Sequence, residues 1–112
     1  MKRIDAVVKV FKLEEIVERL RLIGVVGLTV AEVHGMSPST EVQSVFHGQR
    51  YTSSSSPRYQ LTIVVMDDDA VPVVNAIVRA GGSDSPGDGI IVVSEVLDVV
   101  RIRTGETGAP AL

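Results

Sequence analysis

The hydrophobic pattern of the chain repeats once, with a strand, a helix and a second strand in each half. Alternating apolar positions over 4–10 predict the first strand, and residues 28–33 predict the second. Between them, apolar residues recur at helical spacing, and the predicted helix ends at Gly24. The apolar residues of this helix are Leu13, Ile16, Val17, Leu20 and Ile23.

The second half repeats the order with a third strand over 59–66, a second helix and a short strand over 90–93. The helix starts at Asp67-Asp68-Asp69, because acidic residues cap a helix N-terminus and oppose its macrodipole. It stops at Gly81-Gly82, and Pro72 fits it only in the first turn.

The segment between the two halves, residues 35–57, is polar and shows no helical or strand period. A loop this long in a compact domain is uncommon and is typically functional or mobile. We therefore predict a single α+β domain over 1–112, a ferredoxin-like βαββαβ sandwich. The helices cover one sheet face. Apolar residues on the other face, Ile63 and Val65 or their neighbours, indicate an interface between copies.

Composition narrows the classes of function. The chain has 112 residues, a net charge of −3 and 4% aromatic residues, which argues against nucleic-acid binding. It has no cysteine, so disulfides, thiol nucleophiles and thiolate metal sites are excluded. His34 and His47 are too few for a metal site, and we find no catalytic triad or carboxylate pair. Charges interrupt the apolar residues near the N-terminus, so we expect no signal peptide, no membrane insertion and a cytoplasmic location.

Two short motifs indicate a phosphate site. Gly87-Asp88-Gly89 precedes an apolar strand, and glycines let backbone N–H groups approach an anion closely. Residues 99–103 predict one more strand, which would place Arg101 and Arg103 on one face. Guanidinium groups are well shaped to bind phosphate. Each motif alone is also compatible with an ordinary turn or an exposed strand.

With this element order in place, the chain resembles the P-II signal-transduction family over its whole length. The matching positions are residues 2–6, 11–14, 24–30, 32–33, 48, 51, 63–65, 67–68, 87–89 and 101–106. Many dispersed matches at the right spacing are more specific than one motif. The resemblance implies a homotrimer that binds adenine nucleotides in the clefts between subunits. It also implies a regulator, not an enzyme, with no required cofactor and with a long T-loop, about residues 35–57, that contacts target proteins.

The resemblance also assigns site residues. It implies that the phosphates lie against Gly87, Asp88 and Gly89, and that Arg101 and Arg103 reach them from the adjacent subunit. The adenine side and the loop base comprise Gly27, Leu28, Thr29, Gly35, Met36 and Val64. Tyr51 stands where some relatives are uridylylated. Its sequence context differs, and an exposed loop tyrosine is the simpler interpretation.

Departures from the family pattern concentrate around the outer phosphates. Ile90 follows the glycine elbow where the family has lysine, and Ser37, Pro38 and Ser39 replace a glycine, an arginine and a glutamine. The lost positive charge implies that ADP or AMP is favoured over ATP, with ATP still a candidate. The lost glutamine argues against 2-oxoglutarate. Arg58 replaces a lysine and keeps a cation for a small anion, for which bicarbonate is a candidate.

Two functions follow from this resemblance. The leading one is a divergent P-II-like regulator that binds ADP or AMP. It would act through its T-loop on an unidentified transporter, enzyme or carboxysome-related component in inorganic carbon metabolism. The alternative is a conventional nitrogen-regulatory protein that senses ATP and 2-oxoglutarate and controls ammonium transport or glutamine synthetase. A nucleotide hydrolase and a purely structural trimer are less favoured.

Overall fold

A computed structural model describes residues 1–36, 43–46, 49–52, 55–83 and 85–112, with 43–46 and 49–52 described as backbone only. The elements in chain order are β1 (Lys2–Lys9), α1 (Leu13–Leu22), β2 (Thr29–Gly35), β3 (Gln43–Phe46), β4 (Gln49–Thr52), β5 (Ser56–Val65), α2 (Asp67–Gly81) and β6 (Gly89–Glu95). Short 3₁₀ turns lie at Val10–Lys12 and Ala109–Ala111.

Four strands form an antiparallel sheet in the order β2-β5-β1-β6. The two central strands pair along the whole of β1, from Lys2 opposite Val65 to Lys9 opposite Arg58. The segments β1-α1-β2 and β5-α2-β6 each form one strand–helix–strand unit. The predicted α+β class and the βαββαβ order of these six elements are therefore confirmed.

Both helices pack on one face of this sheet and enclose the hydrophobic core. Buried residues alternate along β1 because successive side chains of a strand point to opposite faces. In α1, the buried Ile16 and Leu20 are four residues apart and so lie on one side of the helix. The core comprises Ile4, Ala6, Val8, Ile16, Leu20, Leu61, Ile63, Ala70, Val73, Ile77 and Ala80. Burial of each large aliphatic side chain contributes about 1.5–3 kcal/mol.

The other sheet face, which we call the open face, has a polar centre at Asp5. Its carboxylate accepts hydrogen bonds from Thr62 Oγ1 at 2.8 Å and Gln60 Nε2 at 3.4 Å, and it pairs with Arg3 Nε at 2.9 Å. Partial burial raises the pKa of Asp5, but hydrogen bonds from Arg3 and Thr62 outweigh this effect. The pKa of Asp5 therefore lies below its ordinary value.

The apolar residues on the open face are the sequence neighbours of Ile63 and Val65, the residues that the sequence analysis named first. Ile63 is buried beneath the helices and Val65 packs against the core, so both lie on the covered face. Val64 and, in β6, Ile90 and Val92 lie on the open face instead. Ile90 and Val92 are 66% and 50% exposed. Because side chains alternate along a strand, a shift of one residue in the pattern changes the face.

Residues 99–103 do not form the predicted strand: Val100 makes one isolated bridge with Thr107, and a turn follows at 102–104. The Arg101 N–H donates to the Glu106 carbonyl oxygen at 2.9 Å, and Gly105 adopts a φ of +73°. Glycine reaches this conformation easily, so the chain can reverse here. The Arg101 N–H then bonds within the turn, whereas in a strand it would be available to a neighbouring strand. The prediction that Arg101 and Arg103 share one strand face is therefore wrong.

The segment 35–57 contains more regular structure than the predicted loop. The flanking strands extend into it, since β2 runs to Gly35 and β5 begins at Ser56. Within it, β3 and β4 pair as an antiparallel ribbon. Each has four residues, too few to show a period in the sequence, so cross-strand pairing decides their conformation. Residues 37–42, 47–48 and 53–54 of the predicted T-loop, which include the departures at 37–39, lie outside the described residues.

Pro72 lies in the second turn of α2, which corrects its predicted place in the first. The helix already begins at Asp67, with three acidic residues in its first turn. Proline has no N–H, so the Asp68 carbonyl lacks its usual backbone donor four residues on. Pro72 is exposed, and on this solvent-facing side a carbonyl can bond to water instead.

Candidate functional site

The glycine elbow, residues 87–89, joins the end of α2 to β6 and is anchored by Asp88. The Asp88 carboxylate accepts hydrogen bonds from the Ser83 backbone N–H at 2.6 Å and hydroxyl at 2.5 Å. It also pairs with Lys9 Nζ at 2.9 Å, which ties the turn to the end of β1. The Ser83 hydroxyl, followed by Lys9, holds the pKa of Asp88 well below its ordinary value. Asp88 thus acts as a structural anchor of the elbow.

Both elbow glycines adopt positive φ angles, +84° at Gly87 and +115° at Gly89, which favour glycine. A Cβ on Gly89 would lie 1.8 Å from the Val7 carbonyl oxygen. Gly89 is therefore required by the pairing of β6 with β1, whatever the elbow binds. Gly87 is exposed, and the nearest atom to its Cβ position is Arg58 Nη2 at 3.5 Å.

Arg58 lies between the elbow and the end of β2. Its Nη2 approaches Gly87, and its Cγ lies 3.3 Å from the position of a Cβ on Gly35. In the sheet, Arg58 stands opposite Lys9 on one side and Val33 on the other. Arg58 has no ion pair within the described part of the chain. Three predicted site residues, Gly35, Arg58 and Gly87, therefore come together around a guanidinium that pairs with none of the described carboxylates.

A second group of predicted residues lines a cavity of about 670 Å³ at the opposite end of the sheet. Gly27, Thr29 and Val64 form part of its wall, and Leu112 of the C-terminal segment lies on the wall as well. Leu28 packs against the hydrophobic core instead. A cavity of this volume falls in the range of small-molecule sites.

The cavity and the elbow lie far apart within one chain. Val64 pairs with Arg3 near the start of β1, whereas Gly89 pairs with Val8 near its end. Five residues separate Arg3 from Val8 along β1, which corresponds to about 17 Å at the usual rise of a strand. The residues that line the cavity do not include the elbow. The predicted nucleotide residues therefore fall into two separate groups in each chain, which we call the predicted half-sites.

Arg101 contacts Leu112, which also lines the cavity, and Arg103 lies two residues further along the chain. Arg101 Nη2 donates to the Leu112 carbonyl oxygen at 3.2 Å, and Arg101 Nη1 lies 3.8 Å from Glu106 Oε1. Arg103 is exposed on the same turn. The polar contacts of Arg101 thus stay within the C-terminal segment. The elbow and the arginines form one phosphate site only if a second copy contributes one of the two halves.

Three further positions that the sequence singled out are Met36, Tyr51 and Ile90. Met36 follows Gly35 at the end of β2 and is 78% exposed. Tyr51 lies in β4 opposite Ser44, and its side chain is outside the described residues. Ile90 follows the elbow on the open face, so an exposed aliphatic side chain occupies the position of the family's lysine.

Sequence reasoning missed Ser83 and Lys9, the two residues that hold Asp88. A serine close to an aspartate in a Gly/Pro-rich segment is a known signal for side-chain bonds to the local backbone, and it could have pointed to Ser83. Lys9 gives no such local signal. Its contact with Asp88 depends on the pairing of β1 with β6.

Comparison with known proteins identifies the family. The family model described as "Nitrogen regulatory protein P-II" matches residues 1–106. This chain belongs to the P-II family. The nitrogen regulatory protein P-II of Cereibacter sphaeroides is 41% identical over 112 residues, and that of Rhizobium meliloti (strain 1021) is 39% identical. The nitrogen regulatory protein P-II 1 of Escherichia coli (strain K12) is 38% identical. All three alignments cover both chains completely.

The family model and these relatives are all named as regulatory proteins. Within the ranges that the structure describes, no group of histidine, aspartate and glutamate residues is arranged to hold a metal ion. None of the described helices is long and apolar enough to span a membrane.

Proposed function

We propose that this P-II protein is a trimeric regulator that binds an adenine nucleotide between neighbouring copies and acts on a partner protein through residues 35–57. The observation that carries the proposal is the separation of Val64 in the cavity wall from Gly89 in the elbow, which is about 17 Å along β1. A closed ring of copies related by rotation can place the cavity half-site of one chain against the elbow of the next.

The chemistry of the two half-sites suits the two ends of a nucleotide. The cavity offers mostly apolar walls, including Val64, for a base. The elbow offers two glycines that let the backbone approach a phosphate closely, together with the guanidinium of Arg58, which forms no ion pair with a described residue. The exposure of Arg103 on its turn supports a contact between its guanidinium and a phosphate bound by a neighbouring chain.

The open face supplies a surface for contact between copies. It combines the exposed Ile90 and Val92 with the charged pair of Arg3 and Asp5. Exposed apolar side chains on a sheet face commonly mark an interface between protein chains, and the hydrogen bonds to Asp5 would limit the cost of burying its carboxylate there.

We further propose that the regulatory input is nitrogen status. Relatives named as nitrogen regulatory proteins align with the whole chain, which favours the conventional alternative over a role in inorganic carbon metabolism. The ligand preference stays a separate proposal. Because Ile90 supplies no cation beside the elbow, ADP or AMP is favoured over ATP, and Arg58 keeps a candidate site for a small anion such as bicarbonate.

Calorimetric titration tests these proposals. ATP, ADP and AMP are each titrated with and without 2-oxoglutarate or bicarbonate, and light scattering gives the mass of the same sample. We expect a trimer that binds ADP or AMP more tightly than ATP. Magnesium-ATP binding that is strengthened by 2-oxoglutarate would overturn the proposed ligand preference. It would still agree with the proposal that the protein is a nucleotide-binding regulator. A monomer, or a trimer that binds no nucleotide, would overturn the site between copies.

The variant Arg103→Ala tests whether the C-terminal turn contributes to nucleotide binding. Loss of one charge-assisted hydrogen bond costs about 1.5–3 kcal/mol, which corresponds to at least a tenfold weaker affinity. Arg21→Ala is the matched control, because Arg21 is exposed on α1 and paired with Glu18. Equal affinities in the two variants would remove Arg103 from the site.

A further inference from the structure

The outer surface of the two helices carries a groove that shares only Ile23 and Pro72 with the cavity half-site. Its volume is about 400 Å³, and it combines aliphatic side chains with two arginines. The residues that line it are Arg19, Leu22, Ile23, Pro72, Asn75, Ala76 and Arg79. This groove lies on the helices, whereas the proposed contacts between copies involve the open face of the sheet.

Helical spacing aligns the lining residues along the groove. Residues 72, 75, 76 and 79 follow the i, i+3, i+4, i+7 pattern and therefore share one side of α2. The helices run antiparallel, because Ile16 near the start of α1 lies 3.1 Å from the position of a Cβ on Gly81 at the end of α2. Arg19 therefore lies toward Arg79.

The opposite end of the groove is apolar. Ile23 and Pro72 meet there, since both also line the 670 Å³ cavity. Leu22 and Ile23 are 67% and 48% exposed. The groove thus has a cationic end and an aliphatic end.

The positive charges at the cationic end are not neutralised by any described carboxylate. Arg19 and Arg79 form no ion pair with any described residue, whereas the neighbouring Arg21 is held by Glu18 at 2.6 Å. Like charges on facing helices repel one another and destabilise the pair. Carboxylates of a bound partner would remove this repulsion. Because the chain carries a net charge of −3, a local cationic site would also direct an acidic partner to this groove.

We propose that the groove docks a short amphipathic helix of a partner protein, with carboxylates against Arg19 and Arg79 and aliphatic side chains against Leu22 and Ile23. Seven residues separate Pro72 from Arg79, and a helix rises about 1.5 Å per residue, so the groove is about 10 Å long. That length matches two turns of a bound helix. Helices recognised in grooves commonly present anchors with this spacing.

Binding of defined helical peptides tests the proposal. The probe is a fluorescein-labelled, lactam-stapled 12-residue peptide with two glutamates in its first turn and two leucines in its third. One matched probe carries lysines in place of the glutamates, and another carries serines in place of the leucines. We expect fluorescence anisotropy to give the Glu–Leu probe at least a tenfold higher affinity than either matched probe.

A charge reversal makes the test specific to the groove. The double variant Arg19→Glu/Arg79→Glu should bind the Glu–Leu probe at least tenfold more weakly and the Lys–Leu probe more tightly. Arg21→Glu changes an arginine on the same helix outside the groove and should keep the wild-type preference. The gain of the Lys–Leu probe separates lost binding from lost folding. Amide NMR shifts on binding should centre on Leu22, Ile23 and Asn75.

Three results would overturn the proposal. One is equal affinity for the glutamate and lysine probes, and another is undiminished Glu–Leu binding in the double variant. The third is absence of peptide binding together with adsorption to phosphatidylglycerol-containing vesicles that the double variant loses, which would assign the arginines to a lipid surface. Nucleotide titration of the double variant distinguishes this failure from failure of the proposed function, because the groove arginines belong to neither half-site.

Discussion

The carbonyl oxygen of Val7 lies 1.8 Å from the place where a Cβ on Gly89 would stand. A normal carbon–oxygen contact is about twice as long, so β6 can pair with β1 here only through glycine. The φ of Gly89, +115°, adds a second reason, since L side chains rarely adopt it. One glycine of the candidate phosphate elbow is therefore essential to the sheet itself.

Gly89→Ala should lower the free energy of unfolding by about 3 kcal/mol or more, because it adds a backbone clash to the cost of a strained φ. Gly105→Ala is the matched control. Gly105 also has a positive φ, +73°, but no atom lies within 4 Å of its Cβ position. Only the strain of about 1–2 kcal/mol applies there. Urea denaturation at one fixed protein concentration measures both, and equal losses would contradict the clash.

Asp88→Asn should reduce stability in a pH-dependent way. The folded-state pKa of Asp88 is depressed by Ser83 and Lys9. A carboxyl of this kind adds stability above its unfolded pKa of about 3.9, and this stability is lost as the pH falls through the folded value. Wild type should therefore melt higher than the variant between pH 5 and 8, and the difference should shrink below about pH 4.

Thermal melts between pH 2.5 and 8 measure this difference for the Asp88 variant. Glu32→Gln is the control, because Glu32 is exposed on β2 and makes no ion pair with a described residue. A difference for Asp88→Asn that stays constant with pH would show that the contacts with Ser83 and Lys9 do not favour the ionised carboxylate.

The fold could be predicted from the sequence because its elements carry strong local periods. The alternation of Ile4, Ala6 and Val8 and the spacing of Ile16 and Leu20 each identify a buried face. Features set by distant partners could not be predicted. The four-residue strands β3 and β4 depend on each other, and the turn at 101–106 depends on Gly105.

The sequence predicted which residues belong to the candidate site, but it did not predict how they are arranged in one chain. The elbow glycines and the cavity residue Val64 could be named from the sequence, yet no local pattern shows that they lie far apart in one chain. That separation follows from register, with Gly89 opposite Val8 and Val64 opposite Arg3. Register also brings Lys9 to Asp88. The pairing of strands across a sheet depends on the whole fold, so it cannot be recognised from the residues next to each position in the sequence.

Thr62→Val should raise the pKa of Asp5. Burial raises this pKa, and the hydrogen bonds from Arg3 and Thr62 together lower it. The variant removes the 2.8 Å hydrogen bond from Thr62 and keeps the burial, so the balance moves upward. Thr29→Val is the control, because Thr29 stands opposite Thr62 on the same face and makes no hydrogen bond to Asp5 within the described chain. Carboxyl carbon NMR titration measures the pKa, and an unchanged value in Thr62→Val would contradict the prediction.

Pro72→Ala should stabilise α2. The substitution restores an N–H that can donate to the Asp68 carbonyl and removes the clash of the ring with the preceding turn. We expect a gain of about 1–3 kcal/mol in the free energy of unfolding. Val71→Ala, at a residue that is 68% exposed, should change it by less than about 0.5 kcal/mol. Chemical denaturation measures both variants. Lower stability of Pro72→Ala would show that the packing of the ring outweighs the missing hydrogen bond.

Ile90→Lys should shift nucleotide preference toward ATP if the elbow holds phosphates as proposed. A lysine here would stand directly after Gly89, where it could meet the outer phosphate, and a charge-assisted hydrogen bond contributes about 1.5–3 kcal/mol. The ratio of ATP to ADP affinity should therefore rise about tenfold or more in calorimetric titrations. Val92→Lys is the control, because Val92 lies on the same face two residues further from the elbow. Light scattering of both variants checks that the copies remain associated. An equal rise in the ratio for both would assign the effect to general charge, and no rise in either would remove position 90 from the phosphate site.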